Sequence, residues 1–504
     1  MGRARMGKEG SAVNVGKRVF RNSAALLGGQ AAERVLKLVV MAVLARYLGK
    51  TSFGLYAFVL TYVEFFHLLT DLGLQTILVR EMARGPHRAE ELLGSALTLK
   101  LAAAALSAAL AVLVLRWTGH PASTAVLAGW AALGLFLSFR LSSVRQVFDS
   151  VFQVRLEMRA PVALGVASEL LSALGLLAAV WWKLDLAALL AVQNLAYLPG
   201  AAALARLTQA RIPVRPRWSG RTLWGLLKES YPLGLSNLFT LAYVKLDILM
   251  LSAMQGDEAV GVYAAAYKLT GSLTILPTAL LGSLFPLMSQ YARTAPEVLP
   301  RLFHRSLNVI LVAALPLAVA GTVLARGVIH LVYGGQFGAA AGALRVLIWA
   351  VAVSFLSYLL TSALNAMDRQ RLYLGMTASM TALNAALNWV WIPRYGFMGA
   401  AVATLITEAA LLLLCLRALA PYLKDFNPAP ALKYALSAGV MGVAVGFAPV
   451  GLLGAVPLAA VVYLGSLLAL RAVSREEWKS YWSAVGWRTR GAGSPVEAAR
   501  MGGR

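Results

Sequence analysis

One cysteine, Cys415, in 504 residues excludes an intrachain disulfide and any metal cluster built on thiolates. Histidine is nearly as scarce. His67, His87, His120, His304 and His330 stand apart without ligand spacing, so neither a bound metal nor any other cofactor is expected. Charge is thin, at 13% of residues against about 25% in soluble domains, and acidic residues number 22 against 46 Lys and Arg. The tripeptide Gly49-Lys50-Thr51 lacks the upstream glycine of a phosphate loop, since position 44 is Leu, and reads as a short external turn. Long polar connections are also missing. That leaves no room for an additional soluble domain, nor for the acid and base groups that a membrane glycosyltransferase or polymerase would carry on an outer loop. The chain reads as one that moves a molecule rather than one that transforms it, and no enzyme activity is expected.

What the chain has in abundance is apolar sequence, 59% of residues. A bilayer core of about 30 Å needs roughly 20 apolar residues per helix. Such runs follow one another from a first at 22–47 to a last at 450–470, and fourteen are expected, including 53–79, 125–148, 372–391 and 398–419. The fold class is therefore all-α and polytopic. The first run is long, internally charged and without a small-residue cleavage site, so no cleavable signal peptide is expected.

Most of the basic residues fall in connections of one parity: Arg3, Arg5, Lys8, Lys17, Arg18 and Arg21 before the first helix, and Arg206, Arg211, Arg215, Arg217, Arg221 and Lys228 between the sixth and seventh. The opposite parity holds only Lys50, Arg116, Lys183 and Arg394. By the positive-inside rule both termini face the cytoplasm of a cell (inner) membrane. The net charge of +24 is then topological and suits anionic headgroups; no nucleic-acid partner is expected.

An internal repeat organises the spans. Gly49-Lys-Thr-Ser-Phe-Gly54-Leu-Tyr56-Ala57 returns as Gly256-Asp-Glu-Ala-Val-Gly261-Val-Tyr263-Ala264, at a constant offset of 207 residues. Each copy opens the second helix of a six-helix set, and an even number keeps the two sets parallel. The expected organisation is a basic N-terminal segment 1–21, an N-terminal lobe 22–209, a basic linker 210–229 and a C-terminal lobe 230–420. An appended helix pair 431–471 and a basic tail 472–504 complete it.

Ionisable groups inside spans cost about 2.5–3.5 kcal/mol at a helix centre, so they mark protein-facing or wet positions. Here they cluster on the first two helices of each lobe: Glu33, Arg34, Lys37, Glu64 and Asp71, then Lys245, Asp247 and Lys268. Removing the repeat offset places Lys245 within one residue of Lys37, which suggests a basic, pseudo-symmetric central cavity. A structural reading stands beside this one, with Glu33 pairing Lys37 four residues away and Lys245 neutralising Asp247. Arg145 and Asp149 read as a local pair, Lys100 and Arg326 as snorkelling cations, and Glu169, Arg345 and Glu408 stay unassigned.

The stretch Leu44-Ala-Arg46-Tyr-Leu-Gly49 running into Phe53-Gly54-Leu-Tyr56, then Asp71-Leu-Gly73-Leu and Arg80-Glu81-Met-Ala-Arg84, resembles the opening of bacterial polysaccharide transporters, the Wzx-type flippases. Leu284-Phe285-Pro286, Tyr333-Gly334 with Phe337-Gly338-Ala339-Ala340, and Ile392-Pro393-Arg394-Tyr395-Gly396 extend the resemblance to about residue 420. Their superfamily also holds lipid II flippases and multidrug and toxin extruders. The resemblance implies a V-shaped, two-lobed bundle that carries a polyprenyl-diphosphate-linked oligosaccharide from the cytoplasmic to the external leaflet by alternating access, alongside polysaccharide polymerase machinery. Arg34, Lys37, Lys245 and Lys268 are then candidate contacts to the substrate headgroup, and Glu33, Glu64, Asp71 and Asp247 candidate ion-coupling acids. A lipid II flippase and an ion-coupled extruder remain the alternatives.

Overall fold

The computed structural model describes the backbone of residues 2–138, 142–423 and 427–473, and side chains from Arg34 onward except at 86, 279, 282 and 283. Among the described residues there is no strand. The first half comprises α1 (Gly2–Asp71), α2 (Leu74–Arg84), α3 (Ala89–Trp117), α4 (Ala122–Ala132), α5 (Gly134–Leu137), α6 (Ser143–Val154), α7 (Arg159–Trp181), α8 (Leu186–Leu195) and α9 (Leu198–Gln209). The second comprises α10 (Gly220–Gln255), α11 (Asp257–Ser272), α12 (Ile275–Thr294), α13 (Leu299–Tyr333), α14 (Ala340–Ala366) and α15 (Gln370–Ala418), followed by α16 (Ala429–Phe447) and α17 (Leu452–Ala469).

Eleven helical segments among the described residues are long and apolar enough to cross a bilayer, fewer than the fourteen expected. The difference has two sources. Window 125–148 is broken into α4, α5 and α6, none of which is long enough alone. Elsewhere neighbouring windows run together: α1 continues through Gly49, and 372–391 joins 398–419 as α15. At 1.5 Å per residue the 49-residue α15 would measure about 74 Å if straight, over twice the bilayer core. Gly396, at φ 57° and ψ −138°, breaks it. A Cβ on Gly399 would lie 2.4 Å from the Trp391 carbonyl oxygen, so the chain doubles back there.

Gly49 (φ 71°, ψ 173°) and Gly256 (φ 79°, ψ −179°), the first residues of the repeat, adopt the same backbone conformation. It lies in a region that only glycine enters at low cost. These turns gather at one end of the molecule with Gly334 and Gly396. There Arg46 Nε donates to the Val332 carbonyl at 2.9 Å, Gln336 Nε2 to the Arg46 carbonyl at 3.2 Å, and Gln255 Nε2 to the Ile392 carbonyl at 3.2 Å. The core follows the same division. At the glycine-turn end one apolar cluster joins both halves, running from Leu44, Phe53 and Tyr56 to Tyr263, Tyr333 and Phe337. Away from that end it splits into one cluster around Leu78, Leu93 and Phe152 and another around Phe303, Phe355 and Leu359. The appended α16 and α17 pack on α13 through Tyr434, Met441 and Tyr463, whose hydroxyl donates to the Val312 carbonyl at 2.9 Å.

Candidate functional site

Several charges that the sequence places within spans have partners on other helices. Lys37 on α1 is 3.3 Å from Glu169 on α7, in a polar pocket with Tyr56, Ser172, Gln193 and Tyr197. The Tyr56 hydroxyl donates to Gln193 Oε1 at 2.8 Å, and Ser172 Oγ donates to the Gln193 carbonyl at 3.2 Å. The side chain of Glu33, the sequence-level partner for Lys37, lies outside the described residues. Lys245 on α10 bonds not to Asp247 but to Glu64 on α1, in the other half.

Asp247 is instead buried against Tyr263, whose hydroxyl donates to it, and its Oδ1 accepts the Ile248 N–H at 2.8 Å. That tyrosine hydroxyl is also 3.4 Å from Thr404 Oγ1. One turn further along α15, Glu408 accepts from the Tyr243 hydroxyl at 2.8 Å and lines a cavity of about 90 Å³ with Tyr267, Tyr358, Asn384 and Thr407. A water needs about 10–15 Å³, so this space has room for several. Asn388, fully buried beside Asn384, donates to it at 2.8 Å, while its own Oδ1 has no hydrogen-bond partner.

Arg34 crosses between the halves in the reverse direction to Lys245. Its guanidinium donates to Thr274 Oγ1 at 3.2 Å and to the Ser272 carbonyl at 3.4 Å. Those acceptors sit at the break between α11 and α12, where Pro277 has no N–H for the Leu273 carbonyl four residues back. Lys268 is half-buried on α11.

Asp71 lies at the end of α1, where Leu72 (φ 42°) and Gly73 (φ 76°) interrupt the helix before α2. Lys100 on α3 donates to Asp71 Oδ1 at 2.7 Å and to Gln146 Oε1 at 2.8 Å. Snorkelling is therefore not what Lys100 does: its side chain is fully buried, and a buried ammonium requires such a counter-ion. The Arg145–Asp149 pair is present, at 3.4 Å. Sequence reasoning left Glu169 and Glu408 unassigned and passed over Gln193, Asn384 and Asn388. Their positions on α7, α8 and α15 become meaningful only once these helices pack against α1 and α10.

The family model for polysaccharide biosynthesis proteins matches residues 19–292, and the MatE model matches residues 232–390. The chain is 31% identical over 214 residues to the probable flippase AglR of Haloferax volcanii, a stretch covering 42% of this chain and 45% of that relative. It thus spans less than half of AglR. Among solved structures, the lipid II flippase MurJ in an inward closed conformation aligns over 90% of this chain and 99% of its own, with a TM-score of 0.71 and 15% identity. A multidrug resistance MATE family transporter in an inward-facing conformation aligns over 78% and 96%, with a TM-score of 0.62 and 12% identity. At those identities the likeness is one of fold. The chain belongs to the polysaccharide biosynthesis protein family, on the fold it shares with MurJ and the MATE transporters.

Proposed function

We propose that this chain is a flippase that moves a polyprenyl-diphosphate-linked oligosaccharide from the cytoplasmic to the external leaflet of the cell membrane. The observation that carries the reading, within this family, is the crossed pair of cations between the halves: Arg34 reaching from α1 to the α11–α12 break, and Lys245 reaching from α10 to Glu64. An anionic headgroup bound between the halves meets both, and Lys268 adds positive charge on α11. The diphosphate is the part of such a substrate that needs cations, while the polyprenyl tail stays in the bilayer. The polar cavity beside Glu408, with Asp247 one turn away, is the proposed seat of ion coupling. Division of the longest spans at Gly49 and Gly396, with α4 to α6 counted as one crossing, gives fourteen helices in two lobes plus a terminal pair, both termini cytoplasmic.

A second reading, a lipid II flippase, is favoured by the alignment with MurJ over 90% of this chain and 99% of its own. A deletion strain distinguishes the readings. The proposal expects lipid-linked oligosaccharide still to be made, to accumulate on the cytoplasmic face, and surface polysaccharide to be lost. Accumulated peptidoglycan precursor would support the second reading, and drug sensitivity with intact polysaccharide would point to an extruder.

A further inference from the structure

Arg326 and Arg345 belong neither to the proposed substrate site nor to any salt bridge or side-chain hydrogen bond among the described residues. Both are exposed, one on α13 and one on α14. These helices run antiparallel on either side of the turn at Gly334, and one bond fixes their register: Trp349 Nε1 donates to Thr322 Oγ1 at 3.0 Å. Arg326 lies four residues after Thr322 on α13, and Arg345 four residues before Trp349 on α14. Each step is about one helical turn toward the Gly334 end, so the two arginines stand at one level on neighbouring helices. His330, one further turn along α13, is exposed as well. No acid is at hand to neutralise them. Neither α13 nor α14, nor the appended α16 and α17, contains an Asp or a Glu.

We infer that this arginine pair is a binding site for an anionic phospholipid in the leaflet at the glycine-turn end, its phosphate held between the two guanidinium groups. Two like charges at one level of an apolar span repel each other, and an uncompensated charge in a span is costly, so an anion between them relieves both penalties. Depth fits a lipid headgroup. Arg326 is eight residues before Gly334, about 12 Å along α13, and Arg345 five residues after Ala340, about 8 Å along α14. Snorkelling toward the helix ends carries both side chains to the level of the lipid phosphates. Guanidinium forks match phosphate oxygens, and basic pockets between membrane helices take anionic headgroups. The surroundings favour a phosphate that arrives with acyl chains, because Val323 and Trp349 beside the arginines are 37% and 36% exposed. A free phosphate gains nothing from that apolar surface, and a zwitterionic lipid brings a third cation to the site. In the orientation proposed above this leaflet is the external one, where the connections hold few charges of their own. The site involves neither Lys245 nor Arg34 and does not rest on the flippase reading.

The test uses the full chain on a Cys415→Ala background, in phosphatidylcholine nanodiscs doped with brominated phosphatidylglycerol, whose bromines quench a fluorophore close by. A label at Val323→Cys reports the site. A label at Leu106→Cys, exposed on α3 of the first half, reports ordinary surrounding lipid at a matching depth, since each position lies eleven residues from the end of its helix. Phosphatidylglycerol is expected to be enriched at Val323 by about fivefold or more, roughly the effect of one basic residue on an anionic headgroup, and not at Leu106. Arg326→Gln and Arg345→Gln should each remove most of the enrichment while leaving the melting temperature unchanged, because both side chains are exposed. Quenching at Val323 that only matches Leu106, or enrichment that survives the Arg326→Gln, Arg345→Gln double variant, overturns the site. Relief of quenching by inorganic phosphate assigns the pair to a free anion. Relief by polyprenyl diphosphate, at an amount where unbrominated phosphatidylglycerol gives none, assigns it to the transported lipid. Either result overturns the phospholipid assignment.

Discussion

Gly54 and Gly261, equivalent residues of the repeat, face one another across the join between the halves. A Cβ on Gly54 would lie 1.7 Å from the Asp257 carbonyl oxygen, and one on Gly261 would lie 1.9 Å from the Lys50 carbonyl oxygen. Each helix start therefore rests on the backbone of the other, with Lys50 bonded to Glu258 beside the contact. A repeat visible as spacing in the sequence is, in space, a two-sided contact that admits no side chain on either face.

Gly54→Ala or Gly261→Ala should destabilise the protein by about 1–3 kcal/mol, because the obstructing atoms are backbone and no rotamer relieves the clash. Gly225→Ala, on α10 with open space around it, should be neutral or stabilising by up to about 1 kcal/mol. Apparent melting temperatures in detergent check both. Equal effects at positions 54 and 225 would remove the close approach from the account.

Lys100→Met should destabilise by about 3–5 kcal/mol by leaving Asp71 without its buried counter-ion. Combining it with Asp71→Asn should recover most of that loss, since two neutral groups replace the stranded charge. Thermal unfolding of the two single variants and the double variant measures the recovery.

Lys37 and Glu169 should couple by about 1–3 kcal/mol in a double-mutant cycle of Lys37→Ala and Glu169→Gln read by unfolding. Additive effects would mean that the 3.3 Å contact adds nothing beyond the packing of the two side chains.

Reporter fusions after Gln255 and after Arg394 should give an external signal, and fusions after Arg217 and Arg293 a cytoplasmic one. The glycine turns then mark the external face. A cytoplasmic signal at Gln255 would overturn the helix count together with the orientation.

Much of the architecture was legible because it rests on features that sequence records directly. Apolar run length gives membrane helices, and glycine at fixed spacing gives the repeat, since Gly49 and Gly256 occupy a conformation closed to other residues. Polar partners were legible only where they are local. Arg145 and Asp149, four residues apart on one helix, were paired correctly. Glu64 with Lys245 and Glu169 with Lys37 are separated by 181 and 132 positions in sequence and depend on which helices pack together, which no spacing rule contains. Helix boundaries failed where the backbone breaks without a strong local signal. Leu72 and Gly73 interrupt α1 with no proline nearby, and window 125–148 gave no sign that it would divide into three.

The most direct measurement is translocation itself. Purified protein in liposomes, loaded on one leaflet with a fluorescent polyprenyl-diphosphate-linked oligosaccharide, is assayed by quenching from the opposite side. The account predicts leaflet exchange above that of protein-free liposomes, abolished by Lys245→Ala and retained in part by Lys245→Arg, whose guanidinium still pairs with phosphate oxygens. Exchange at the protein-free rate, or exchange unchanged in Lys245→Ala reconstituted at equal density, would contradict it.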